Sequence, residues 1–190
     1  MDSASKNGRV FWSAAVGVII LDVVTKALAV ANLQPEHMPH GVLGEIVRFT
    51  LAYNPGAAFS MSLGEYSRVI FGAFAVVALV ILYRLYRASE PTDVMRVLAL
   101  GLASGGAAGN LIDRLRPGSR GVVDFIDVGI GDVRFWTFNV ADSAVTVGAL
   151  MLAWVLWRED RRALAIAAAE AAARDNAAAA AAAPADRLTS

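Results

Sequence analysis

The chain has 190 residues, of which 57% are hydrophobic, and its mean hydropathy is +0.53. A soluble domain of this length is close to half apolar, so the excess indicates burial in lipid. The formal net charge is zero, which argues against a nucleic-acid partner, because phosphate binding requires a basic patch. The chain has no cysteine and only two histidines, so disulfides and a cysteine nucleophile are excluded, and we expect no metal and no cofactor.

Four windows are apolar enough for membrane-spanning helices, each of which needs roughly 20 such residues. They cover about residues 11–33, 66–86, 94–112 and 138–157. We expect residues 1–162 to form one membrane domain. The alanine-rich residues 163–190 lack a sustained apolar stripe, so we expect a cytoplasmic tail without a catalytic role.

The first window carries two charged residues, Asp22 and Lys26, four apart and therefore on one helix face. They could form an ion pair that makes burial tolerable, or a polar strut that holds another element, and the two roles can coexist. A cleaved signal peptide is the alternative for this window, because Lys6 and Arg9 precede its apolar run. The charges in its second half fit a cleavage region poorly, so we expect a retained helix.

The first long connection, about residues 34–65, contains a segment in which β-branched and aromatic residues partly alternate, residues 41–53. This pattern predicts a short strand at the outer membrane surface. The segment Tyr53-Asn-Pro-Gly-Ala-Ala-Phe59 follows it. A plain turn explains Pro55 and Gly56, whereas Asn54 offers a donor and an acceptor that suit recognition of a peptide backbone.

The third span contains glycines at every fourth position, Gly101, Gly105 and Gly109, which predicts close packing against a neighbouring helix. The span ends with Asn110-Leu-Ile-Asp-Arg114. Asn110 and Asp113 share a helix face, and a buried asparagine there requires a specific partner. Asp113 and Arg114 could instead only satisfy the end of the helix.

The second long connection, about residues 113–137, includes another strand-like run, in which Asp124 and Asp127 lie three residues apart. On a strand this spacing points them to opposite faces, so only one can face a given site. We expect the other to face solvent or an arginine such as Arg120.

The fourth span opens with Asn139 and Asp142. Asn139 could be the N-cap, which would leave Asp142 at the third helical position, where free amides and the helix dipole favour a carboxylate. Asp142 also lies where an apolar span begins, and an ionisable group there is a functional candidate.

Arginines and lysines predict the topology by the positive-inside rule. The N-terminus, the short connection between the second and third spans, and the segment after the fourth span are basic, so we expect both termini in the cytoplasm. The positions are Lys6, Arg9, Arg84, Arg87, Arg96, Arg158, Arg161 and Arg162. Four arginines of the second outer connection do not follow the rule, and we interpret them as site or structural residues: Arg114, Arg116, Arg120 and Arg134.

Two carboxylates that lie close together can hydrolyse a peptide without metal, thiol or Ser/His machinery. Repulsion makes them share one proton, so the ionised member takes a proton from water while the protonated member polarises the scissile carbonyl. Asp124 and Asp142 lie on the same side of the membrane in the predicted topology, and they could converge at its surface.

Taken together and in order, the motifs resemble the lipoprotein signal peptidase family (signal peptidase II). The resemblance covers about residues 10–160. It rests on Asp22-Val-Val-Thr-Lys26, Asn54-Pro-Gly-Ala-Ala-Phe59, Gly105-Gly-Ala-Ala-Gly-Asn-Leu-Ile-Asp-Arg114, Val122-Val-Asp-Phe-Ile-Asp127 and Phe138-Asn-Val-Ala-Asp142.

The resemblance implies a four-helix membrane domain with a small extracytoplasmic β-cradle, and an aspartyl peptidase with Asp124 and Asp142 as its catalytic pair. The implied substrate is a bacterial prolipoprotein whose lipobox cysteine carries diacylglycerol, cleaved just before that cysteine. We expect a monomer in the cytoplasmic membrane. The residues that would line, brace or support the site are Asn54, Asn110, Asp113, Arg114, Asn139, Asp22 and Lys26.

Two other functions remain open at this point. A transporter could use intramembrane acids as a proton relay, although the four spans show no evident inverted repeat. A non-catalytic lipid-binding scaffold would use its acids only for caps and ion pairs. Peptide cleavage distinguishes the peptidase from both.

Overall fold

The structure is a computed structural model that describes residues 3–56 and 66–182. Its four helices are α1 (Ser3–Asn32), α2 (Ser67–Ala88), α3 (Val94–Leu115) and α4 (Val140–Ala182). Each contains a stretch long and apolar enough to cross a membrane. The predicted α-helical membrane fold with four spans is therefore confirmed.

Helix α3 occupies the centre of the bundle. Half of its apolar window is buried, compared with 6% of the window in α2, and it packs against both α1 and α2. A Cβ added to Gly101 would lie 2.8 Å from the carbonyl oxygen of Phe11, and one added to Gly105 would lie 2.7 Å from that of Ala15. The missing side chains thus let α1 lie directly on α3, as the glycine spacing predicts.

The sheet has four antiparallel strands in the order β1-β2-β3-β4. These strands are β1 (His40–Leu43), β2 (Val47–Asn54), β3 (Val122–Ile130) and β4 (Val133–Arg134). The two long connections, between α1 and α2 and between α3 and α4, therefore form one sheet, which confirms the strands expected in both. In the pairing of β2 with β3, Ala52 lies opposite Asp124 and Asn54 opposite Val122.

Asp127 faces neither solvent nor Arg120. Its side chain is buried and accepts hydrogen bonds from Arg48 Nε at 3.1 Å, Arg134 Nε at 2.5 Å and Thr50 Oγ1 at 3.2 Å. An arginine partner was expected and is present, but the residue named for it was wrong, because Arg120 lies before β3 and forms a two-pronged ion pair with Glu36. The role expected for Arg134, that of a structural arginine, agrees with this contact.

The chain divides into two compact units, Met1–Leu152 and Ala153–Ser190. The described part of the second unit is the continuation of α4. Within it, Arg158 lies over the ring of Trp154 at 4.6 Å, and Arg161 over that of Trp157 at 5.9 Å. Such pairs are typical of side chains at a membrane interface. The end of the predicted tail, from residue 183, lies outside the described residues.

Candidate active site

Asn139 lies at the centre of the site and begins helix α4. Its amide oxygen accepts a hydrogen bond from the backbone N–H of Asp142 at 2.9 Å, and Asp142 Oδ2 accepts one from the backbone N–H of Asn139 at 3.2 Å. This reciprocal arrangement is a capping box, which satisfies amides that a helix start leaves free. The cap predicted for Asn139 is thus present, with Asp142 at the third helical position.

The same asparagine contacts the second aspartate. Phe138, one residue earlier, pairs with β3 through three backbone hydrogen bonds of 2.8–3.0 Å, so Asn139 lies beside this strand. Its Nδ2 donates to Asp124 Oδ1 at 2.7 Å and to the carbonyl of Val123 at 3.3 Å. Asp124 and Asp142 therefore converge on the two sides of one fully buried asparagine.

The environment of Asp124 favours its protonated form. The residue is 4% exposed, and burial together with the charge of Asp142 raises its pKa from 3.8 to about 7, although hydrogen bonds from Asn139 and Asn54 partly oppose the rise. At neutral pH, Asp124 therefore holds its proton for a large fraction of the time. A carboxyl group with this pKa can donate a proton or a hydrogen bond to a substrate oxygen.

Helix α3 provides a second contact to Asp142. Asn110 Nδ2 donates to Asp142 Oδ1 at 2.7 Å, and Asn110 Oδ1 accepts from Lys26 Nζ at 3.0 Å and Asn139 Nδ2 at 3.1 Å. Asn110 is half-buried, and the specific partners expected for an asparagine at this helix end are Lys26, Asn139 and Asp142.

Lys26 connects helices α1 and α3 through an ion-paired cluster. Its Nζ lies 2.8 Å from Asp22 Oδ2 and 2.9 Å from Asp113 Oδ2. Asp22 Oδ1 accepts the backbone N–H of Ala141 at 3.0 Å, and Asp113 Oδ2 accepts that of Val123 at 3.2 Å. Asp22 is thus both an ion-pair partner and a strut to the start of α4, as the sequence allowed.

Two further predicted residues lie at the edge of this cluster. Arg114 is half-buried, donates to the carbonyl of Asn110 at 3.0 Å and has attractive electrostatic interactions with Asp142 and Asp124. Asn54 ends β2 and forms a turn in which its Oδ1 accepts the N–H of Gly56 at 3.1 Å. Residues 57–59, the remainder of the Asn54 motif, lie outside the described residues.

The sequence did not identify two groups that complete the site. Gly109 was assigned only to helix packing, yet a Cβ at this position would lie 2.5 Å from Asp22 Oδ2, so the glycine provides space for that carboxylate. Arg68 at the start of α2 donates from Nη2 to the carbonyl of Arg116 at 2.6 Å and from Nε to that of Arg114, which secures the end of α3. A basic residue that begins a span was the only signal for Arg68. Among the residues that the structure describes, no three His, Asp or Glu side chains converge as a metal site would require.

Comparisons with known proteins give one consistent family. The model described as signal peptidase (SPase) II matches residues 14–158. A lipoprotein signal peptidase of Moorella thermoacetica is 41% identical over 148 residues, which cover 77% of this chain and 91% of that protein. One from Coxiella burnetii is 43% identical over 140 residues, 73% of this chain and 83% of that protein.

Solved structures agree with this result. A bacterial membrane enzyme determined by the in meso method at 2.3 Å resolution superposes with a TM-score of 0.68 at 31% sequence identity, over 77% of this chain and 87% of that one. A second such structure, at 1.9 Å resolution, gives a TM-score of 0.65 at the same identity. The comparisons give no support to the transporter alternative. The chain therefore belongs to the signal peptidase II family and is a multi-pass membrane peptide hydrolase.

Proposed function

We propose that this enzyme removes the signal peptide from diacylglyceryl-modified bacterial prolipoproteins, cleaving just before the lipidated cysteine, with Asp124 and Asp142 as its catalytic residues. The observation that carries the assignment is that one buried residue, Asn139, contacts both carboxylates: its backbone N–H donates to Asp142 Oδ2 and its side-chain Nδ2 donates to Asp124 Oδ1. A peptide hydrolase without cysteine requires another means of activating water, and paired carboxylates provide it.

The two aspartates have different surroundings, which assign them different roles. Asp142 accepts two N–H bonds at a helix N-terminus, and such donors stabilise a negative charge. Asp124 has a pKa of about 7 because of its burial and the nearby charge of Asp142. Asp142 is therefore the general base, and Asp124 is the general acid.

The reaction then proceeds by addition and elimination. Asp142 takes a proton from water as the water oxygen bonds to the scissile carbonyl carbon, and Asp124 gives its proton to the carbonyl oxygen. In the second half, the bond from carbon to nitrogen breaks. The amine that leaves on the cysteine side gains the proton held by Asp142, while Asp124 recovers its own as the carboxylic acid product forms.

The remaining polar residues of the site have binding and bracing roles in this proposal. Asn54, at the end of β2, is suited to bind the substrate backbone, because an amide both donates and accepts. Arg114 offsets part of the negative charge of the pair. Asp22, Lys26 and Asp113 hold α1, α3, α4 and β3 at fixed positions around it.

The orientation in the membrane follows from charge. We place both termini in the cytoplasm, since the loops on that side are basic, and the sheet with the aspartates on the extracytoplasmic face of the bacterial inner membrane. A substrate anchored by acyl chains presents its scissile bond near this surface. The enzyme acts as a monomer, surrounded by lipid and without a nucleic-acid partner, and residues 163–190 form a cytoplasmic tail without a catalytic role.

The test is cleavage of a diacylglyceryl-modified prolipoprotein by the purified enzyme in detergent. Wild type should cut before the cysteine. Asp124→Asn and Asp142→Asn should each fold but lose about a thousandfold in kcat, because each aspartate transfers a proton in both the addition and the elimination. An unmodified prolipoprotein should be a poor substrate. A folded Asp142→Asn variant with near-wild-type turnover would reduce Asp142 to a helix cap.

A further inference from the structure

We propose, on the basis of the catalytic role proposed for Asp142, that Lys26 is a positioning residue that fixes which end of the Asn110 amide faces Asp142. The oxygen and nitrogen of an asparagine amide exchange places by a half-turn, so its partners must set the orientation. Asn110 lies between a cation and a carboxylate, which bind opposite ends of an amide.

Lys26 defines the oxygen end of Asn110. An ammonium group only donates, and Lys26 Nζ lies 3.0 Å from Asn110 Oδ1. With the oxygen on that side, Nδ2 lies on the other and donates to Asp142 Oδ1 at 2.7 Å. In the reversed amide, the oxygen would face the carboxylate and the N–H groups would face the ammonium, and both contacts would be repulsive.

The ammonium itself has a fixed position. Lys26 is 4% exposed and is held by Asp22 at 2.8 Å and Asp113 at 2.9 Å, so it cannot follow a rotating amide. Because these carboxylates belong to α1 and α3, the orientation of Asn110 is determined by the packing of two helices.

Asn139 cannot replace Lys26 in this role. Its Nδ2 has two hydrogens but three acceptors, which are Asp124 Oδ1 at 2.7 Å, Asn110 Oδ1 at 3.1 Å and the Val123 carbonyl at 3.3 Å. Without Lys26, the second hydrogen is shared between Asn110 Oδ1 and the Val123 carbonyl, so Asn139 holds the Asn110 amide less firmly than the ammonium does.

The expected consequence is a change in the pH profile rather than in substrate binding. Asp142 would lose one of its two N–H donors, so the acidic limb of the kcat profile should move to higher pH by about one unit. KM should change little, because Lys26 is buried and does not face solvent. The other charged groups around Asp142 are Asp124 on β3, Arg114 and Asp113 on α3, and Asp22 and Lys26 on α1; Asp124, Arg114 and Asp22 are kept in every variant of the test.

The test is a double-mutant cycle in an Asp113→Asn background. In this background, Lys26→Met leaves the net charge of the cluster equal to that of wild type, which limits both misfolding and long-range effects on the acidic limb. Asp113→Asn alone is the reference from which the limb shifts of the other variants in this background are measured. Lys26→Met and Asn110→Leu should each move the limb by about one pH unit, and their combination should move it no further, because Lys26 acts through the amide.

Additive shifts, or an unmoved limb in a folded Lys26→Met variant, would overturn the proposal. Asn110→Asp, made without other changes, is a second variant that keeps every cation. It presents oxygen to Lys26, as the wild-type amide does, and oxygen to Asp142, as a reversed amide would. It should move the acidic limb to higher pH, and an unmoved limb would also overturn the proposal.

If wild type cleaves no prolipoprotein at any pH, the proposed function fails. If wild type cleaves and the limbs stay in place, only the role of Lys26 fails.

Discussion

Replacing Asp124 with asparagine should abolish cleavage and, at the same time, stabilise the protein above neutral pH. The pKa of Asp124 rises from 3.8 to about 7 in the folded state, first because of burial and then because of the charge of Asp142. The folded state therefore keeps a proton that the unfolded state has lost between pH 4 and 7. The free energy of unfolding of wild type must therefore fall as the pH rises through this window. The loss is complete above pH 7.

The size of the effect follows from the shift. A rise of about three pKa units at about 1.4 kcal/mol each corresponds to about 4 kcal/mol at pH 8. Asparagine cannot ionise, and its amide oxygen can still accept from Asn139 Nδ2. Asp124→Asn should therefore exceed the free energy of unfolding of wild type by only about 1 kcal/mol near pH 4.5, and by about 2–4 kcal/mol at pH 8.

Thermal unfolding in detergent between pH 4.5 and 8, followed by tryptophan fluorescence, measures this difference. Asp132→Asn, in the exposed turn between β3 and β4, is the matched control and should parallel wild type at every pH. Parallel curves for wild type and Asp124→Asn would show that the folded protein imposes no cost on the charged form. A variant less stable than wild type at pH 8 would make Asp124 a stabilising structural acid and refute the reasoning.

Three further predictions concern the sheet, the helix packing and the tail. Hydrogen bonds from Arg134, Arg48 and Thr50 outweigh burial and hold the pKa of Asp127 below its usual value, so Asp127→Asn should lower the free energy of unfolding by about 1–2 kcal/mol at pH 7. This loss should disappear as the pH falls below the lowered pKa of Asp127, and a loss that persists at low pH would contradict it. Gly105→Ala should lower the unfolding free energy by about 1–3 kcal/mol, because its Cβ would lie 2.7 Å from a carbonyl oxygen of α1, while Gly17→Ala, with no atom within 4 Å of its Cβ, should not. Removal of residues 163–190 should leave kcat and KM for prolipoprotein cleavage unchanged, and a tenfold loss would assign the tail a part in catalysis.

The sequence was sufficient for those parts of the fold that have a local signal. Apolar windows predicted the four helices. Partial alternation of β-branched and aromatic residues predicted the strands in the two long connections, between α1 and α2 and between α3 and α4. Hydropathy marks the part of a helix that suits lipid, not the ends of the helix. Helix α4 therefore continues through an alanine-rich segment to Ala182, because alanine favours helix in water as well.

Partners distant in the sequence could not be predicted in the same way. The spacing of Asp124 and Asp127 predicted opposite faces, but the arginine expected for Asp127 was chosen because it is near in the chain. One actual partner, Arg48, is 79 residues away and is brought close by the pairing of β2 with β3. The register of that pairing depends on the complete set of contacts in the folded sheet, which no local pattern contains.

The start of α4 shows why cap and catalytic group are not competing interpretations of Asp142. The backbone N–H of Asn139, which Asp142 accepts as a cap, is also a donor that stabilises a charged base. The same capping box fixes the Asn139 amide, since the N–H of Asp142 can only donate to its oxygen, and this turns Nδ2 toward Asp124. One local motif thus holds the base, orients the bridging asparagine and separates the environments of the two carboxylates. Substitution of Asp142 should for this reason reduce both stability and turnover, whereas substitution of Asp124, which caps no helix, should separate the two effects.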